Sequence, residues 1–99
     1  MEDVKLKLNE KGRGSFYIAV GDEQLAMMEI GISENTLTAY HTEVSPKAGG
    51  KGLGKELLIA MAAYAREHKY KVIPLCPFVN AQFKRHPEEY SDIWLKPVP

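Results

Sequence analysis

Four glycines fall within the six residues Gly49-Gly50-Lys51-Gly52-Leu53-Gly54, preceded by Ala48 and followed by Lys55. Without a Cβ, the backbone there can approach a ligand closely and take positive φ. The apolar pattern that follows is helical. The first turn of a helix presents unpaired N–H groups, with the helix dipole behind them, to an anion. Lys51 and Lys55 add positive charge. The chemistry on offer is a cradle for a phosphate or pyrophosphate. A plain flexible turn is one alternative, disfavoured because glycine is costly in a first turn unless its backbone is used. A nucleotide P-loop is another, since residues 49–55 fit G-x-x-x-x-G-K. However, Glu56 stands where a P-loop needs a Ser or Thr hydroxyl for magnesium.

Reactive side chains are few. Cys76 is the only cysteine, and the histidines are His41, His68 and His86. A cysteine just ahead of a helix is favoured as a thiolate and can act as a nucleophile, with His41 or His86 as base. The same residue also fits a buried, inert thiol at a strand end. His41 shares a strand face with Leu37, Ala39 and Glu43 if that strand is regular, and serves there as a catalytic or a structural residue. His68 falls at the end of the long helix, where a cation suits the dipole.

The elements that must position these groups follow from periodicity. Residues 4–9 alternate apolar and polar, residues 15–20 (S-F-Y-I-A-V) are aromatic and β-branched, and turn residues separate them. Residues 25–33 form a third strand and residues 36–44, rich in Thr, Tyr and Val, a fourth. From Gly52 to His68 the period is helical, with Leu53, Leu57, Met61, Tyr64 and His68 on one stripe and Leu58, Ala62 and Ala65 beside it. Residues 71–76 (K-V-I-P-L-C) read as a buried fifth strand. Residues 78–86 read as a second helix stopped by Pro87. The tail, residues 88–99, starts with a helical turn and packs through Tyr90, Ile93 and Trp94. The order ββββαβα predicts an α+β fold in one domain spanning residues 1–99. Four antiparallel strands are followed by a helical crossover onto a parallel fifth.

Composition narrows the class. The chain has 99 residues, 44% hydrophobic and 26% charged, with 13 basic and 13 acidic residues and a formal net charge of zero. A dedicated nucleic-acid binder carries a basic surplus, so no nucleic-acid partner is expected. No apolar run reaches the roughly 18 residues of a membrane span and no signal segment opens the chain, so a cytoplasmic address without membrane contact is expected. One cysteine precludes an internal disulfide, and with scattered histidines makes no metal site.

The glycine loop resembles the acetyl-CoA loop of the GNAT acyltransferase family, Q/R-x-x-G-x-G/A, with Gly52 and Gly54 at its glycines and Gly49 replacing the usual Gln or Arg. His41-Thr42-Glu43-Val44, Pro74-Leu75-Cys76-Pro77-Phe78-Val79 and Arg85-His86-Pro87-Glu88-Glu89-Tyr90 extend the likeness. They are similar to the "H-T-x-V-x-P", "P-x-C" and "R-H/N-P" segments of a branch of very small members, and with the loop they cover nearly the whole chain. The resemblance implies a minimal GNAT fold, with a mixed, mostly antiparallel sheet, that lacks the first helices and last strands of full-length members. It implies acetyl-CoA as cofactor. The backbone of Thr42 and Val44 would pair with the pantetheine arm. The N–H groups of Gly50, Lys51, Gly52, Leu53, Gly54 and Lys55 would hold the pyrophosphate, with Gly49 marking a weakened site. Phe83 would stand beside the cofactor, with Lys84 and Arg85 as phosphate partners or plain surface charge. Cys76 would lie near the reacting carbonyl.

Acyl transfer needs a deprotonated amine, an oxyanion stabiliser and a proton for the departing thiolate. Larger members of the family often supply that proton from a tyrosine at the place where Phe83 falls. Cys76 then either accepts the acetyl group in a two-step reaction or only lines the acetyl pocket. The expected function is N-acetyl transfer to an amine, a protein lysine or a small molecule. The alternatives are a non-catalytic acyl-CoA-binding module and a structural subunit with a vestigial site. The open rims of a small sheet suit a monomer or a weak homodimer.

Overall fold

The computed structural model describes residues 3–96. Four strands run β1 (Lys5–Leu8), β2 (Arg13–Val20), β3 (Glu23–Ser33) and β4 (Thr36–Val44), each antiparallel to its predecessor. A 3-10 turn (Pro46–Ala48) leads to helix α1 (Leu53–His68), which crosses over to β5 (Lys71–Pro74), parallel to β4. Helices α2 (Pro77–Arg85) and α3 (Pro87–Tyr90) close the described chain. The sheet order is β1-β2-β3-β4-β5, the mixed, mostly antiparallel α+β arrangement expected.

Alternation builds the core. Phe16 and Ile18 of β2, Ala26, Met28 and Ile30 of β3, and Leu37 and Ala39 of β4 all point to one buried face. Helix α1 lies against it through Leu53, Leu57, Leu58, Met61, Ala62 and Ala65. Tyr64 and His68, expected on the same stripe, sit at its margin instead, where Tyr64 meets the Phe16 ring edge-on and His68 stacks on Tyr70. The sheet ladders and α1 satisfy the backbone, and no polar or charged residue is buried among the described residues.

Strand β5 is shorter than the sequence predicts, ending at Pro74 rather than Cys76. A tight turn follows, with Leu75 N–H donating to the Ile73 carbonyl at 3.1 Å, and Cys76 N–H then returns to β4 by donating to the Ala39 carbonyl at 2.8 Å. Pro77 opens α2 at a first-turn position where a missing N–H costs nothing. That helix therefore begins one residue earlier than expected, at Pro77 rather than residue 78, and ends at Arg85. The tail does begin with a helical turn, α3. Tyr90 and Ile93 are buried, and Trp94 packs against the core with a bridge to Val72. Its last three residues, 97–99, lie outside the described residues.

Candidate active site

Strand β4 carries one residue too many for its ladder. Glu29 pairs with His41 and Ile30 with Ala39, so Tyr40 bulges out between them. A one-residue bulge reverses which side chains face the core. Before it Leu37 and Ala39 point inward. After it Thr42, opposite buried Met28, and Val44, opposite buried Ala26, take the inward face. Pairing between β4 and β5 ends at Ala39 and Pro74, so from Tyr40 onward β4 keeps β3 on one side and has no strand on the other. The two strands part where α1 and α2 both begin.

The glycine loop borders this opening. Ser45 caps the 3-10 turn, its side-chain oxygen accepting from Lys47 N–H at 3.3 Å, while the Lys47 ammonium lies 3.0 Å from a Glu23 carboxylate oxygen. Buried Ala48 anchors the loop from below. Gly50 and Gly52 take φ of +82° and +71°, and Gly52 is the N-cap of α1 in a left-handed conformation with no side-chain cap bond. An L side chain in that conformation costs about 1–2 kcal/mol, which is the physical reason for glycine there. The first N–H groups of α1, on Leu53, Gly54 and Lys55, have no intrahelical acceptor by helix geometry. Gly54 has an ordinary helical backbone, and a Cβ on it would make an ordinary 3.4 Å contact with the Phe78 ring, so the starts of α1 and α2 lie close together there.

These elements enclose a cavity of about 490 Å³ lined by Thr42, Val44, Ala48, Gly49, Gly50, Gly52, Leu53, Gly54, Lys55, Phe78 and Gln82. The size is that of a small-molecule or cofactor site. The glycine run contributes backbone amides that suit a phosphate, while Val44, Leu53 and Phe78 make much of the wall apolar. Lys55 supplies the cation. The structure thus brings Thr42, Val44, Gly49, Gly50, Gly52, Leu53, Gly54 and Lys55 to one place. Lys51 stays outside the wall, and its N–H is spent on the Ala48 carbonyl at 3.4 Å.

Cys76 is 1% exposed and caps α2 without a side-chain bond to its backbone. Its Sγ lies 3.2 Å from Thr42 Oγ1, so the thiol touches a side chain that lines the cavity.

Other expected site residues lie elsewhere. His41 does not share a face with Leu37 and Ala39. The Tyr40 bulge turns it to the opposite face of the sheet from Thr42, where its side chain is 55% exposed and Nε2 lies 3.6 Å from a Glu43 carboxylate oxygen. Phe83 is 0% exposed and stacks on Tyr90 at 4.8 Å between ring centroids, with Trp94 edge-on, so it belongs to the core and not to the cavity wall. Its place on the wall goes to Gln82 and Phe78, one turn apart on α2. Lys84 lines a separate apolar groove with Ile73, Leu75 and Trp94, and Arg85 is exposed in the last turn of α2. Phe78, Gln82 and the Thr42 side chain are not among the residues expected from the sequence. The first two share a signal, their i, i+4 spacing on α2. The third has none.

Comparison with known proteins agrees with this geometry. The family model for the GCN5-related N-acetyl-transferase matches residues 15–93. The chain therefore belongs to the GCN5-related N-acetyltransferase family, the GNAT family, and is an acetyltransferase by that membership. A GCN5-like protein from Staphylococcus aureus is similar over 99% of this chain and 94% of its own, at 31% identity and a TM-score of 0.71. The ribosomal-protein-alanine N-acetyltransferase of Brucella melitensis biovar Abortus shares the fold at 18% identity and a TM-score of 0.62, covering 91% of this chain and 67% of its own. A GNAT-family protein of Desulfovibrio desulfuricans shares it at 20% identity and a TM-score of 0.57, covering 79% of this chain and 54% of its own. No curated protein sequence matches. No helix among the described residues is long and apolar enough to cross a membrane.

Proposed function

We propose that this chain, as one domain, transfers an acetyl group from acetyl-CoA to an amine. The observation that carries the reading is the cavity where β4 and β5 part, walled by the uncapped start of α1. The N–H groups of Gly50, Gly52, Leu53, Gly54 and Lys55 hold the pyrophosphate there. They are donors that helix and loop geometry leave free, and the dipole of a 16-residue helix stands behind them. The backbone of Thr42 and Val44, on the stretch of β4 left unpaired on its β5 side, pairs with the pantetheine arm. Phe78 and Gln82 close the opposite wall.

Bound acetyl-CoA supplies an activated acyl group. The chain's own contribution is to orient it, exclude water and supply a nucleophile or a base. No tyrosine stands at the α2 position that Phe83 fills, and His41 faces away, so Cys76 takes the acetyl group first and passes it to the amine. The acceptor is a protein lysine or a small molecule, with no nucleic acid or membrane involved. The setting is the cytoplasm, where a free thiol persists, and the chain works as a monomer or weak homodimer.

Calorimetric titration with acetyl-CoA tests the cradle, and absence of binding would reject it. Intact-mass analysis with acetyl-CoA and a panel of amines tests the chemistry. Binding without acetylation of any amine or of Cys76 would make the chain an acyl-CoA-binding module instead.

A further inference from the structure

Cys76 and Thr42 are 34 positions apart in the chain, yet Sγ and Oγ1 meet at 3.2 Å. The contact results from three features already described. The Tyr40 bulge turns Thr42 inward, Pro74 ends β5 two residues before Cys76, and the Cys76–Ala39 backbone bond holds the cysteine against β4. Thr42 lines the cavity and Cys76 is buried behind it. A threonine hydroxyl is both donor and acceptor. The hydroxyl can therefore take a proton from the sulfur and hold another of its own toward the cavity. No other side chain is recorded in hydrogen-bond contact with Sγ among the described residues.

We infer that Thr42 is the proton partner of Cys76, passing the thiol's hydrogen between the nucleophile and the cavity. The inference rests on the acetyl-transfer reading above and deepens it. In the capture step Sγ bonds to the acetyl carbon and that carbon's bond to the coenzyme sulfur breaks. The thiol proton moves to Thr42 Oγ1, and the hydroxyl's own proton leaves for the departing sulfur. One thioester replaces another, with no oxidant and no net proton change. Thr42 thereby supplies the acid that the phenylalanine at position 83 cannot.

The test uses the full chain and the variants Thr42→Val, which keeps the shape and removes the hydroxyl, and Thr42→Ser, which keeps the hydroxyl. Two readouts are taken. The first is the rate of Cys76 alkylation by iodoacetamide at neutral pH without acetyl-CoA, followed by intact mass. The second is single-turnover acetylation of Cys76 by acetyl-CoA, alongside calorimetric affinity. Thr42→Val is expected to slow alkylation about tenfold and acetyl capture about a hundredfold, the lower range for losing an acid–base group. Thr42→Ser is expected to stay within about threefold of the native chain, since the hydroxyl that carries the effect is retained. Native rates in Thr42→Val, or equal slowing in both variants, overturn the proton role. A native chain that binds acetyl-CoA and acetylates an amine but never carries acetyl on Cys76 overturns it too, while leaving the cradle intact. A native chain that binds no acetyl-CoA overturns the function itself. The alkylation comparison still reads the Thr42–Cys76 contact in that case.

Discussion

The two ends of α1 are built on opposite rules. At its C-terminal end the chain gathers in the Ala65 and Arg66 carbonyls and ties the helix to the tail. Lys69 caps the helix in a left-handed conformation, and its N–H donates to the carbonyls of Ala65 and Arg66. Tyr70 N–H donates to the Ala65 carbonyl at 2.8 Å, and the rings of Tyr64, His68 and Tyr70 stack over the turn. Arg66 reaches across to the tail, where Nε lies 2.8 Å from an Asp92 carboxylate oxygen and a second guanidinium nitrogen donates to the Glu89 carbonyl at 2.7 Å. At the N-terminal end the cap is a glycine with no side chain, and the adjoining space is a cavity. A glycine cap forgoes only about a few tenths of a kcal/mol relative to a side-chain cap. The difference shows where the molecule keeps donors for a ligand and where it spends them on itself.

The largest effect is expected from breaking the open end. Gly52→Ala places a Cβ on a residue at φ +71°, with no atom within 4 Å to oppose a shift. The strain of about 1–2 kcal/mol is relieved by moving an exposed loop, so it appears in binding and not in folding. Acetyl-CoA affinity should fall roughly 5- to 30-fold, with Tm nearly unchanged. Native affinity in calorimetry would show that the loop's left-handed residue plays no part in the site.

Breaking the closed end should do the reverse. Arg66→Ala removes the bond to the tail and leaves acetyl-CoA affinity as it was. Both partners are substantially exposed, 41% and 56% for the side chains, so the loss in denaturant unfolding is at most about 1 kcal/mol. The same pair sets an acid limit. The hydrogen bond from Arg66 holds the Asp92 carboxyl below its ordinary value, with burial opposing weakly. A carboxyl depressed in the folded chain contributes stability above its unfolded value of about 4, and loses it as pH falls through the lower folded value. Unfolding midpoints of the native chain and of Asp92→Asn should therefore differ at pH 6 and converge as the pH falls through the lowered folded value. A constant difference would mean that the carboxylate charge is not what ties the tail.

Much of this contrast is legible in the amino-acid sequence, and the part that is not has a common cause. The glycine run announces an uncapped helix start, and the spacing of Leu53, Leu57 and Met61 announces the face that buries it. Both are local signals. The Tyr40 bulge is set by the ladder between β3 and β4, and nothing at Tyr40 marks it as the extra residue. That one insertion sends His41 outward and Thr42 inward, so a regular alternation assigns every later side chain of β4 to the wrong face. Phe83 is expected at the cofactor through the resemblance alone, and α2 instead packs it against Tyr90 and Trp94 while Gln82 lines the cavity.

Gly49 sharpens the comparison from the other side. It opens the glycine run, yet its φ of −59° is open to any residue, and a Cβ would lie 3.4 Å from the Pro46 carbonyl oxygen, an ordinary contact. Gly49→Arg should therefore fit without strain and add one exposed contact to a phosphate, tightening acetyl-CoA binding up to about fivefold at low salt. Unchanged affinity would place the pyrophosphate out of reach of position 49.

The smallest effect is expected at His41, and it is the most direct check on the bulge. A histidine beside a thiol would ordinarily be taken for its base. Here the ladder puts His41 opposite Glu29 and Thr42 opposite Met28, on the two different faces of the sheet. The exposed imidazole has Glu43 beside it on the same strand and Glu29 opposite it in the ladder. His41→Ala should leave both acetyl-CoA affinity and the alkylation rate of Cys76 within about twofold, as for other exposed surface substitutions, while Thr42→Val does not. A large loss in His41→Ala would mean that β4 turns over when the cofactor binds, and that the regular alternation, not the bulged one, describes the working state.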